Sequence, residues 1–173
     1  MRRLPICLSL AAALAAIAQQ KKVYQPIQEV LPGPPITQPI AYSHKVHIAA
    51  GLVCKNCHTM PGEGFQATYP KATLCMGCHA SIKAESAEIQ KLARFAKEKQ
   101  TIPWERVYRV PDYVWFNHAL HVQDAGIACG NCHGEVAQRD VLFKEKSTSM
   151  VACMDCHARN NAANGCDVCH ASQ

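Results

Sequence analysis

The chain has 173 residues, a formal charge of +5 and only 6% aromatic residues, thin provision for a core of ordinary side chains at that length. Eleven cysteines and nine histidines point instead to a chain held by disulfides, metal or haem. That balance excludes a fold resting mainly on aliphatic and aromatic packing, and spacing must decide what takes its place.

Residues 1–18 read as a secretory signal peptide. Arg2 and Arg3 supply the positive start, Ile6 to Ile17 an apolar run rich in Leu and Ala, and Ala16-Ile17-Ala18 a small-x-small cleavage site that starts the mature chain at Gln19. The run falls short of the roughly 20 residues that span a bilayer, and Pro5 interrupts its start. Cys7 is discarded with the segment, and no later stretch is apolar enough to cross a membrane. The expected location is the bacterial periplasm or another exported compartment.

A leader over 19–40 follows, in which Pro26, Pro32, Pro34, Pro35 and Pro39 forbid a helix and favour extended chain laid over the surface as a strap. The chain then repeats itself. Ser43-His44-Lys45-Val46-His47 leads through Gly51 to Cys54, and Asn117-His118-Ala119-Leu120-His121 leads through Gly126 to Cys129 with one extra residue. The division is a first module over 41–80, a connector over 81–116 and a second module over 117–173. In the connector, Ser86 to Gln100 has helical spacing, with Ile89, Leu92, Ala93 and Ala96 on one face and Lys91, Arg94, Lys97 and Lys99 largely on the other. Thr101 and Pro103 end it. Trp104, Tyr108, Tyr113, Trp115 and Phe116 concentrate flat apolar surface in the extended chain that follows.

Five times the chain reads Cys-x-x-Cys-His: Cys54, Cys57, His58; Cys75, Cys78, His79; Cys129, Cys132, His133; Cys153, Cys156, His157; and Cys166, Cys169, His170. Two thiols at this spacing can add to the two vinyl groups of one haem while the next residue brings an imidazole to its iron. Zinc sites gather four ligands at one centre, and disulfide scaffolds have no use for a histidine after each pair. Five covalently bound haem c groups are therefore the expected cofactors. Their ten propionates bear on the charge: +5 falls to +3 when Arg2 and Arg3 leave, and reaches about −7 in the holoprotein, so the basic sequence does not signal nucleic acid.

The four remaining histidines, His44, His47, His118 and His121, form two His-x-x-His pairs ahead of the first motif of each half. Residues three apart on a helical turn project to nearly the same side, so each pair can offer imidazoles to two neighbouring irons as distal ligands. Five irons then have four such histidines. The fifth position is open to Met60 or Met150, a lysine or the terminal amine, a histidine of a second subunit, or water. The second half carries three motifs against two distal histidines, which directs attention to Cys153 to His157 and Cys166 to His170.

An aromatic residue two before His-x-x-His, a short Gly-containing run and paired haem motifs resemble the class III cytochromes, the cytochrome c3 and c7 group, over about residues 38–170. Gln38 to His47, Ile102 to Tyr108 and Pro111 to His118 resemble more particularly the pentahaem subunit of alternative complex III and related menaquinone-linked complexes. The resemblance implies docking to a quinol-oxidising membrane complex. The expected fold is mostly irregular, with short helices, little β structure and the haems as its core. The expected function is electron transfer between redox partners with no substrate bond broken. The alternative is a small multihaem reductase working at one open iron.

Overall fold

The computed structural model describes residues 30–61 and 66–170. The signal peptide and the leader as far as residue 29 lie outside the described residues. Within them the chain forms seven short α-helices with no strand: α1 (His44–Ala49), α2 (Cys54–Cys57), α3 (Ala72–His79), α4 (Ala87–Lys97), α5 (Gly130–His133), α6 (Met150–Arg159) and α7 (Cys166–Cys169). A π-helical turn, Leu120–Asp124, precedes α5, and a 3-10 turn, Val136–Gln138, follows it.

Local chemistry explains the ends of these helices. The Ser43, Ser86 and Ser149 hydroxyls accept from the backbone amides of Val46, Ile89 and Ala152, starting α1, α4 and α6. In the second copy Asn117 takes the place of Ser43, its Oδ1 accepting from the amides of Ala119 and Leu120 at 2.8 and 3.2 Å. Gly51 and Gly126 then turn the chain towards the first haem motif of each half at φ +92° and +67°, a conformation that side chains with a Cβ rarely adopt. Each motif that follows is itself a helical turn. Residues three apart share a side, so the two thiols of a motif stand together.

The connector helix forms as its spacing predicts, as α4. It buries Ile89 and Leu92 against Ile40, Ala72 and Ile102, and its main partner is α3. Of its basic residues, Lys91 is spent on the fold, its ammonium donating to the Pro39 carbonyl. Those five residues make up the buried hydrophobic cluster among the described residues, with Cys75, Met76, Phe95, Ala96 and Trp104 packed around them. Large apolar side chains elsewhere stay open: Tyr113 is 70% exposed, Val53 and Trp115 59%. Among the described residues this small cluster is the whole of the buried hydrophobic core, little for a polypeptide of this size.

The proline-rich leader is laid down as a strap from residue 30 onward. The Gly33 and Ile36 amides donate to the carbonyls of Lys144 and Leu142 at 2.8 and 3.0 Å, and the Gln38 side chain makes two hydrogen bonds with the Glu105 backbone. The two copies of the repeat also meet. The Lys45 amide donates to the Arg139 carbonyl at 3.1 Å, and Ser43 Oγ donates to Asp140 Oδ1 at 2.6 Å.

Candidate haem-binding sites

The ten cysteines of the five motifs all lie among the described residues, and none is disulfide-bonded. No three His, Cys, Asp or Glu side chains of the described residues converge as a metal centre would require.

The histidines pair across the motifs. His44 faces His58 with ring centroids 6.4 Å apart and planes 9° from parallel, and His118 faces His133 with the same two values. His47 faces His79 at 6.0 Å and His121 faces His157 at 6.0 Å, with interplanar angles of 60° and 31°. A histidine nitrogen binds a first-row metal at about 2.0 Å and lies about 1.1 Å from its ring centroid, so two imidazoles on opposite sides of one iron stand about 6.3 Å apart. All four separations match. Each pair joins one histidine of a His-x-x-His to one histidine that ends a Cys-x-x-Cys-His, and the two members of each His-x-x-His turn to different motifs.

The Nδ1 nitrogen is tied to the backbone in six of the histidine rings. Nδ1 donates to a backbone carbonyl at His58 (Thr68, 2.8 Å), His79 (Ile82, 2.9 Å), His157 (Ala163, 2.7 Å) and His170 (Tyr113, 3.1 Å). The same holds at His47 (Ser43, 2.7 Å) and His121 (Asn117, 2.8 Å). A carbonyl accepts only, so Nδ1 carries the proton and Nε2 keeps its lone pair for a metal. His44 departs from this pattern. Its Nδ1 is buried with no partner in the polypeptide, as is Nε1 of Trp104 beside the α3–α4 cluster.

Two aromatic side chains hold the distal rings, a role that sequence reasoning did not assign to them. Tyr42 stacks on His47 at 4.3 Å and turns its ring edgewise to His44 at 4.8 Å; Phe116 does the same to His121 and His118 at 4.6 and 4.7 Å. The signal was their shared place, two residues ahead of each His-x-x-His. Burial, then the Cys57 and Cys75 thiols, pushes the Tyr42 hydroxyl up to about 12. Burial, then His58 and His47, pulls His44 down to about 4, so at neutral pH its ring is the uncharged form that binds metal.

Neighbouring motifs meet in a consistent order. Besides burial, which dominates each shift, Cys57 raises the thiol pKa of Cys75, Cys129 that of Cys54, Cys156 that of Cys132, and Cys132 and Cys169 that of Cys153. The second motif thus neighbours the first, the first the third, the third the fourth and the fourth the fifth. His170 closes the fifth motif. Its ring has Tyr113 beside it, at 5.8 Å between centroids, and no imidazole opposite.

The donor set fits haem at each motif: paired free thiols, a tethered imidazole and exposed apolar surface for a flat group to cover. Comparison with known proteins agrees. Residues 114–171 match the family described as cytochrome c7 and related cytochrome c. The chain is 31% identical over 160 residues to the menaquinone reductase, multiheme cytochrome c subunit, of Nitratidesulfovibrio vulgaris, an alignment covering 77% of this chain and 76% of that protein.

Proposed function

The chain belongs to the multihaem c-type cytochromes of the cytochrome c7 and related family, which bind haem and transfer electrons, and we propose that it is a periplasmic pentahaem carrier relaying electrons between redox partners. One observation carries the reading: four histidine pairs stand at the separation that one iron requires, each pairing a distal candidate with a motif histidine.

In this reading Cys54, Cys57, Cys75, Cys78, Cys129, Cys132, Cys153, Cys156, Cys166 and Cys169 hold five haems through thioethers. His58, His79, His133, His157 and His170 are the proximal ligands. His44, His47, His118 and His121 are the distal ligands of the first, second, third and fourth haems in that order. Bound there, haem supplies a one-electron iron couple. The polypeptide fixes the spacing of the irons, orients six of the imidazoles through Nδ1 tethers and the His-x-x-His rings through Tyr42 and Phe116, and shields the sites. Two matched ligands leave no position for a substrate at four of the sites, which favours a carrier over an enzyme. Reductase chemistry at one iron, the second reading, draws on His170 alone.

The named relative is a subunit of a menaquinone reductase, and the resemblance of Gln38 to His47 and of Pro111 to His118 to quinone-linked subunits agrees with a partner of that kind. No helix of the described residues is long and apolar enough to cross a membrane.

The test is to co-express the full chain with haem-maturation machinery and an export pathway, then measure the intact mass and the pyridine haemochrome. Five haems per chain on a protein recovered from the periplasm is the expected result. Fewer haems, or a product retained in the cytoplasm, would overturn the proposal.

A further inference from the structure

Resting on the pentahaem reading, we propose that the iron held by Cys166, Cys169 and His170 keeps its sixth position for an exogenous small ligand, an uncharged π-acceptor on the ferrous iron or a small anion on the ferric. All nine histidines lie among the described residues, and eight of them are consumed in four facing pairs. The ninth, His170, is prepared as a proximal ligand in the same way as three of the other four motif histidines. Its Nδ1 donates to the Tyr113 carbonyl at 3.1 Å, as His58, His79 and His157 donate to their carbonyls, which leaves Nε2 for iron. The Trp115 amide, donating to the Cys169 carbonyl at 2.8 Å, ties the same aromatic segment to α7. One half of an axial pair is therefore built and held, and no imidazole of this chain supplies the other.

Position adds access to this asymmetry. Cys166, Asp167 and Val168 of α7 are exposed, Val168 at 41%, and the Tyr113 and Trp115 side chains that flank it are among the most open apolar groups described. A small molecule reaches this site from solvent without displacing a ligand, whereas at the other four it would have to expel a histidine.

Carbon monoxide titration of the dithionite-reduced holoprotein tests this, with electron paramagnetic resonance of the oxidised form read beside it. The expected result is about one CO per chain and a high-spin signal from about one-fifth of the iron. A wholly low-spin oxidised protein that takes up no CO would overturn the inference while leaving a five-haem count, and with it the carrier reading, intact. A count of four haems with Cys166 and Cys169 open to alkylation would sink the pentahaem reading instead. Replacing both Cys166 and Cys169 with alanine should abolish CO uptake and the high-spin signal and leave four haems; uptake that survives places the open iron elsewhere and counts against the proposal. If that variant fails to fold, nuclear Overhauser contacts in the native protein replace it. The haem resonances that shift with CO should then contact Tyr113 and Trp115, and contacts to Tyr42 or Phe116 would refute the assignment.

Discussion

His47 and His79 face each other across 6.0 Å, although 32 positions separate them in the chain, and His44, three residues before His47, faces a different motif. One turn of helix thereby serves two sites. Replacing His47 with alanine should convert the haem at His79, and that one alone, to a high-spin state. In CO titration the uptake should rise by about one equivalent. An unchanged low-spin spectrum would mean that His47 is not its ligand.

Tyr42 and Phe116 occupy equivalent places and stack on equivalent rings, and among the described residues no hydrogen bond of the Tyr42 hydroxyl is seen. Tyr42→Phe should accordingly be near neutral. Tyr42→Ala removes the stack and the apolar cover of His47 and should cost about 2 kcal/mol. Thermal unfolding of the two holoprotein variants side by side distinguishes the ring from its hydroxyl.

Tyr108 is the clasp between the third motif and the strand-like segment after it. Its hydroxyl donates to the His133 carbonyl at 3.0 Å and accepts from the Glu145 amide at 2.9 Å, while its ring lies edgewise to His133 at 4.6 Å. Tyr108→Phe keeps the ring and loses both of these bonds and the longer one accepted from the Lys146 amide at 3.4 Å, an expected loss of about 1–3 kcal/mol in the unfolding free energy of the holoprotein.

Glu145 carries a pH dependence. Its carboxylate accepts from Arg139 Nε at 2.7 Å and from the Glu135 amide at 3.1 Å, and these bonds, Arg139 first, hold its pKa below the ordinary value of 4.5. The unfolded chain takes up this proton at higher pH than the folded one. The contribution is therefore present above the ordinary value and is lost as pH falls through the lowered one. Hydrogen-exchange protection of the Glu135 amide should drop in that acid window, and Arg139→Gln should move the drop to higher pH.

Haem removal should undo the fold. The buried hydrophobic cluster of the described residues comprises Ile40, Ala72, Ile89, Leu92 and Ile102, all around α3 and α4, far less apolar burial than offsets the conformational entropy of a chain this long. Chain produced without maturation machinery should show weak helical circular dichroism and no cooperative melt. A native-like transition would mean that the polypeptide holds itself together.

Much of this arrangement was legible beforehand. The spacing of Ile89, Leu92, Ala93 and Ala96 announced α4, because a helix with one apolar face depends on neighbours within a few residues. The prolines from Pro32 to Pro39 announced the strap, because a ring-locked φ and a missing amide act locally. The strap's pairing with Leu142 and Lys144 was not legible, since backbone hydrogen bonds between distant extended segments leave no mark on the composition of either.

The motifs and the His-x-x-His pairs are matters of covalent spacing, so the sequence by itself determined the cofactor class, the pairing of thiols within each motif and the surplus of one motif over distal histidines. Which histidine faces which motif and the meeting of Cys54 with Cys129 depend on residues tens of positions apart. Only the tertiary structure decided them, because imidazoles on one helical turn are equivalent in local chemistry until the fold carries a different motif to each.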